Sequence, residues 1–430
     1  MSESCNSRHF SWLMKSCFPN PNDNSTTVVS AVAPKSSSSF SNNCLSSTIS
    51  SLPDDILLDC LSRVPPSSIP NLSLVCRRWT RLLLSPIFSD LRRHHGLLRH
   101  TLVALSTTDA ALFAATWRFE HDQNNDNDSE SPWKVSAFLS DDVVSIVGNQ
   151  GFPSHARLSA VGPRIFIVGR NATLRYDTWT GTISARSPMM ISRKKFAVAT
   201  VSGKIYVAGG GSRTTAVEEY DPEEDKWCVV ATAPRSRYGC IGASVDGVFY
   251  VIGGLKLGVS GNDHLRPTSG EAHVYASSMD LYDVEARAWL RSRAVPGGGC
   301  VVAACAAAGH IYVLASHAVE LSFWRFNARR KVVGGSGSAF GEWCRIKSPP
   351  LPAQIRVDST VRFGCVGVGD QVVLVQVSGC IDDLLRRSGR GGRGLKEGLV
   401  LVYDTVAGEW RRVADLPEII QRASCVCVEC

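Results

Sequence analysis

The sequence predicts a small all-α module followed by an all-β repeat domain, and three observations carry that prediction. Between Leu52 and Pro86 apolar residues recur at helical spacing. From about residue 100 this period gives way to short β-branched and apolar runs punctuated by glycine. Within that second region a Tyr-Asp pair followed seven residues later by tryptophan recurs, ending at Trp227, Trp289 and Trp410.

The helical module comes first. Pro53 suits the first turn, where its missing N–H costs nothing, and Asp54 and Asp55 favour the positive end of the helix dipole. Ile56, Leu57, Cys60, Leu61 and Val64 follow at helical spacing until Pro65-Pro66 stop the run. A second helix is expected to carry Ile69, Leu72 and Leu74. A third runs from Cys76 through Trp79, Leu82 and Leu83 until Pro86. About 45 residues bury too little apolar surface for comfortable stability alone. The module must lean on its neighbour or complete its core against a partner.

The strings SLPDDILLDCLSRVP (51–65) and LSLVCRRWTRLLLSPIF (72–88) resemble the F-box, the motif by which substrate receptors dock on the Skp-family adaptor of cullin–RING ubiquitin ligases. Carried over by position, the resemblance implies that Leu52, Pro53, Ile56, Leu57, Leu61, Val75, Cys76 and Trp79 form or support the adaptor surface. The competing reading is an ordinary helical hairpin whose leucines only fill a local core.

Composition bounds the remainder. A chain of 430 residues accommodates one large domain and a small one. The net charge of +7 does not by itself imply nucleic acid. The fifteen cysteines are an odd set, many beside valine and alanine, and are expected to be reduced in a cytoplasmic or nuclear protein. Trp12-Leu13-Met14 is too short for a signal-peptide core, so no leader is expected. No apolar run approaches the ~18 residues of a membrane span. Residues 1–48 are rich in Ser and Asn and read as a disordered tail. The F-box-like module is assigned to 49–93 and the repeat domain to 94–430.

The repeat SGKIYVAGGG (202–211) is echoed by DGVFYVIGGL (246–255), and more weakly near 162, 309 and 369. These units of roughly 50 residues resemble kelch repeats, each of which makes one four-stranded propeller blade. The resemblance implies that the glycine pairs let backbones crowd near the channel and that Tyr and Trp fill the space between blades. Outer-strand anchors at Trp133, Ile183, Trp227, Trp289, Trp343 and Trp410 give six blades, with five or seven as the alternatives; Trp179 is out of register and is not counted. The last segment, 422–428, has no blade after it. It is expected to complete the first blade, closing the ring and removing exposed edges. The ring would then not need the helices, leaving their apolar face to an adaptor.

Inner strands open with Arg157, Arg193, Arg237, Arg362 and Arg422. Strand alternation places these turns on one face, together with insertions at 255–275 and 379–397. Insertions at 121–132 and 328–342 fall on the other. A ring of arginines at a channel mouth would suit an acidic or phosphorylated target segment. The alternative is that they brace adjacent blades or solvate the rim.

Other chemistry finds little support. RRSGRGGRGLK (386–396) is a single glycine–arginine tract without aromatics, so nucleic-acid binding is not expected. Cys427 and Cys430 form a CxxC without a second ligand pair, and no metal or cofactor is expected. A copper radical oxidase also uses a kelch propeller, but here the tyrosines occupy repeat positions and the histidines do not cluster with them. The family most resembled is the plant F-box/kelch-repeat family. That resemblance implies a non-catalytic receptor held by the Skp adaptor, and through it by cullin and RING subunits, which presents a target protein of unknown identity for ubiquitination. The alternative is a kelch interaction scaffold working outside a ligase.

Overall fold

The computed structural model describes residues 49–107, 112–119, 132–138, 156–211, 214–256, 275–317, 320–330, 340–351, 362–378, 398–420 and 422–430. The serine-rich tail and most of the four insertions lie outside these residues.

Four α-helices form the front module: α1 (Asp54–Ser62), α2 (Ile69–Ser73), α3 (Arg77–Leu83) and α4 (Pro86–His94). The sequence spacing does not predict the fourth, because Pro86 reads as a stop. Proline at the first helical position is instead a good start, and the Ser85 hydroxyl caps it by accepting from the Phe88 N–H at 3.3 Å.

Behind the helices stand six four-stranded antiparallel sheets, the six blades of the predicted propeller. Blade 1 has the order β24 (Ser424–Glu429), β1 (His100–Thr107), β2 (Leu112–Arg118), β3 (Lys134–Phe138). Blades 2 to 6 are β4–β7 (157–186), with β5 Arg164–Val168, β6 Thr173–Asp177 and β7 Ile183–Arg186; β8–β11 (197–232), opening with β8 Ala197–Val201; β12–β15 (241–294), opening with β12 Ile241–Val245; β16–β19 (300–346), opening with β16 Cys300–Ala307; and β20–β23 (362–412), opening with β20 Arg362–Val368. The closing strand pairs with β1 from His100↔Glu429 to Leu105↔Ser424, so the last segment of the chain seals the first blade as expected.

The recurrent Tyr and Trp are direct cross-strand partners: Tyr220↔Trp227, Tyr282↔Trp289 and Tyr403↔Trp410. Their rings lie 4.9 to 5.1 Å apart. Blade 2 keeps the register with Tyr176↔Ile183 and blade 5 with Phe326↔Trp343. Such pairs fill the splayed outer space between blades with large apolar rings.

Toward the channel the requirement reverses, because neighbouring inner strands approach too closely for side chains. A Cβ on Gly242 of β12 would lie 2.2 Å from the Val198 carbonyl oxygen of β8, and one on Gly367 of β20 would lie 1.9 Å from that of Ala306 of β16. Hydroxyls bind the same layer: Ser159 and Thr200 lie 2.7 Å apart, and Ser244 donates to the Thr200 carbonyl at 2.6 Å. Gly242→Val is therefore expected to destabilise the propeller by about 3 kcal/mol or more through overpacking. Urea unfolding should show a lower midpoint with an unchanged m-value.

The helices do not stand apart from the ring. Leu57, Leu61, Trp79, Leu83 and Phe88 share one buried cluster with Val103 and Leu105 of blade 1 and Leu174, Tyr176 and Trp179 of blade 2. Phe88 meets Trp179 edge-on at 5.0 Å, and the Arg92 guanidinium lies about 6 Å from both rings. Arg164 at the start of β5 donates to the Leu84 carbonyl at the end of α3. The ring closes with its own strand as expected, but the helices' apolar face is not left wholly to an adaptor: the small module completes its core on blades 1 and 2. Area explains why, since four short helices cannot bury all of their apolar faces against one another.

Candidate functional site

Two surfaces are distinguished by what they expose. The first is the front end of the helical module. Arg78 ties the start of α1 to the start of α3: its Nε donates to Asp54 at 2.7 Å, and a terminal nitrogen donates to the Leu52 carbonyl. The Leu-Pro segment and the Val-Cys segment, more than twenty residues apart in sequence, are thus held at one end. There Pro53, Ile56, Val75 and Cys76 are exposed and Leu52 is half-buried. Ile56 is 48% exposed, Val75 53% and Leu74 83%. Large apolar side chains standing in water at one end of the module make that end a candidate interaction surface.

The eight residues expected at the adaptor surface therefore divide. Leu57, Leu61 and Trp79 are buried in the shared core and can only support the surface. Leu74 is expected on the second helix, but it follows the last residue of α2 at the C-cap, where the chain turns and the helical periodicity no longer holds.

The second surface is the channel mouth carrying the turns between blades. The helices pack at the opposite face: Trp179 lies in the turn joining the third and fourth strands of blade 2, and Arg164 opens its second strand. The turns before the inner strands point the other way.

The five arginines placed there do not form a ring of available cations. Arg193 and Arg237 are each 1% exposed. Arg193 donates to Glu218 at 2.9 Å and to the carbonyls of Gly209 at 2.8 Å and Ala216 at 2.7 Å. Arg237 donates to Asp280 at 2.7 Å, the Gly253 carbonyl at 2.8 Å and the Ser278 hydroxyl at 2.9 Å. Both expend their donors on the third strand of their own blade and on the glycine pair, so they brace within a blade and neither link adjacent blades nor solvate the rim. Arg157 is half-buried and donates to the Phe196 carbonyl at 3.1 Å. Its surroundings lower its pKa, chiefly by burial, and the Arg362 charge acts in the same direction. Arg362 and Arg422 are exposed and have no hydrogen-bond or ion-pair partner among the described residues.

A signal for this division was present in the repeats. Glu218 and Asp280 each lie two residues before the repeat tyrosine, Tyr220 and Tyr282. In blades 2 and 6 the same position holds Leu174 and Leu401. An arginine whose blade supplies a buried acid becomes a brace, and one facing leucine must find its partner elsewhere.

Burial pushes the Cys425 and Cys427 thiols up to about 12, which disfavours the thiolate that would ligate a metal. No group of three or more His, Cys, Asp or Glu among the described residues is placed to hold a metal ion. No helix there is long and apolar enough to cross a membrane.

Comparison with known proteins matches both halves. The F-box domain model matches residues 49–90 and the Kelch motif model matches 192–234. F-box/kelch-repeat protein At5g26960 of Arabidopsis thaliana is 63% identical over the whole length of both chains. F-box/kelch-repeat protein At1g67480 of the same plant is 27% identical, covering 57% of this chain and 61% of its own. With a helical docking module shared onto a closed six-bladed ring, and with a relative of this identity from end to end, the chain belongs to the plant F-box/kelch-repeat family.

Proposed function

We propose that this protein is the substrate-recognition subunit of an SCF-type E3 ubiquitin ligase. The observation that carries the proposal is the exposed apolar end of the F-box, built from Pro53, Ile56, Leu74, Val75 and Cys76. These side chains remain in water although the same module buries Leu57, Leu61 and Trp79 against the propeller. A Skp-family adaptor would cover them and recruit cullin and RING subunits. The chain supplies no catalytic group; it acts by proximity, raising the effective concentration of target lysines near the charged conjugating enzyme. Full-length protein mixed with a Skp adaptor, cullin and RING subunit is expected to elute as one assembly in size-exclusion chromatography. Elution apart from the adaptor would refute the proposal and leave an interaction scaffold.

The target would sit at the opposite mouth, where Arg362 and Arg422 are exposed and Arg157 is half-buried. Their donors suit an acidic or phosphorylated segment. Arg362→Gln with Arg422→Gln is expected to lower target capture at least tenfold without moving the melting temperature. Proximity labelling with the proteasome blocked, followed by quantitation of the labelled proteins, checks this.

A further inference from the structure

A second concentration of positive charge lies on the other side of the molecule, in the joint between the F-box and the propeller. An open cleft of about 620 Å³ separates α3 from blade 2 and the edge of blade 3. Arg77 and Arg81 line it from the helix, and Arg164, Arg175 and Arg186 line it from the blade. Glu223 is the one carboxylate in the lining.

Strand register explains how the three blade arginines meet. Arg164 pairs with Asp177 and Phe166 with Arg175 between β5 and β6; Thr173 pairs with Arg186 and Arg175 with Ser184 between β6 and β7. Arg164, Arg175 and Arg186 are thus diagonal neighbours across three strands on one face of the sheet. Diagonal positions lie within reach of long side chains, and like charges there repel.

Their compensation is thin. The nearest ion-pair approach of Arg164 is 3.6 Å to Asp177, that of Arg186 is 3.9 Å to Asp225, and that of Arg81 is 3.7 Å to Asp54. Arg175 makes no ion pair among the described residues, and its buried Nε has no hydrogen-bond partner; the buried Nε atoms of Arg164 and Arg186 also lack one. Burial lowers the Arg175 pKa, and the neighbouring Arg186 and Arg164 charges add to it. Buried guanidinium donors without acceptors are costly, and three of them converge beside this cleft. Compare Arg193 and Arg237, whose Nε and terminal nitrogens all have carboxylate, carbonyl or hydroxyl acceptors.

We propose that this cleft binds a small soluble polyanion carrying clustered phosphate groups, bridging the F-box to blade 2. The planar guanidinium fork matches phosphate oxygens in pairs. Five such groups around one cleft exceed what a single phosphate can engage, and the volume lies in the range of small-molecule sites. Because the walls come from both parts of the chain, an occupant would hold the adaptor-docking end rigid relative to the target-binding mouth.

The test uses full-length protein and inorganic tripolyphosphate, followed by calorimetric titration at constant ionic strength, with sulfate and a doubly phosphorylated peptide as comparison ligands. Tripolyphosphate is expected to bind at least tenfold tighter than sulfate and than the peptide. Arg175→Gln should weaken it at least tenfold, and Arg77→Gln, on the opposite wall, at least threefold. Without ligand, Arg175→Gln should melt at the same temperature as the parent or higher, since it removes an uncompensated charge. A structural brace would melt lower. Sulfate binding as tightly as tripolyphosphate, peptide binding tighter, no loss in either variant, or a lower melting temperature for ligand-free Arg175→Gln would each overturn the proposal.

Discussion

Arg237→Ala is expected to cost the propeller about 3–5 kcal/mol, the penalty of breaking a buried ion pair by removing one partner. Asp280, 2% exposed, would be left as a buried carboxylate with only the Ser292 hydroxyl at 2.6 Å and the half-buried Arg235 at 3.7 Å. The Gly253 carbonyl would lose its donor as well, and the Tyr275 carbonyl would keep only the Ser278 hydroxyl at 3.4 Å. Denaturant unfolding of the variant measures the loss. The double variant Arg237→Met/Asp280→Leu should recover much of it, because replacing a buried pair by apolar groups of similar volume is often neutral or better. If Arg237→Ala instead keeps the parental midpoint, the bracing role is wrong and the residue returns to the target-binding mouth. Arg193 and Glu218 should behave alike, since their geometry repeats the same pattern one blade earlier.

The blade count was legible because its signal is local. A tyrosine and tryptophan that face each other across a tight turn must keep a fixed separation, so Tyr220 and Trp227 announce an outer hairpin by spacing alone. Ile183 could be placed opposite Tyr176 for the same reason, although the residue type had changed. The closing strand was legible by elimination, since a ring leaves no unpaired strand. The joint between the two parts was not. Trp179 breaks the repeat spacing because it answers to Phe88 in a different fold element, and no periodicity encodes a contact between a helix and a distant turn. Strand openings compared only with one another do not distinguish the arginines. The position two before the repeat tyrosine separates Arg193 and Arg237, opposite Glu218 and Asp280, from Arg157 and Arg362, opposite Leu174 and Leu401.

Changing Ile56 and Val75 to aspartate together is expected to abolish capture of a Skp-family adaptor while leaving the fold intact. Both side chains are about half exposed, so their replacement removes little buried area. Surface changes of this kind shift stability by tenths of a kcal/mol, or about 2 °C at most. At the centre of an interface the same groups act as anchors, and losing one costs about 2 kcal/mol or more, roughly thirtyfold in affinity. Two buried carboxylates without partners add to that loss. Trp79→Ala supplies the contrast. That ring is 7% exposed and belongs to the core shared with blades 1 and 2, so truncation should cost about 3–5 kcal/mol of stability and lose the adaptor by loosening the module. Thermal melts and adaptor pull-downs on the same samples distinguish the two routes. Retention of adaptor by Ile56→Asp/Val75→Asp would mean that the exposed end of the F-box is not the docking surface, and that these side chains are exposed for another partner.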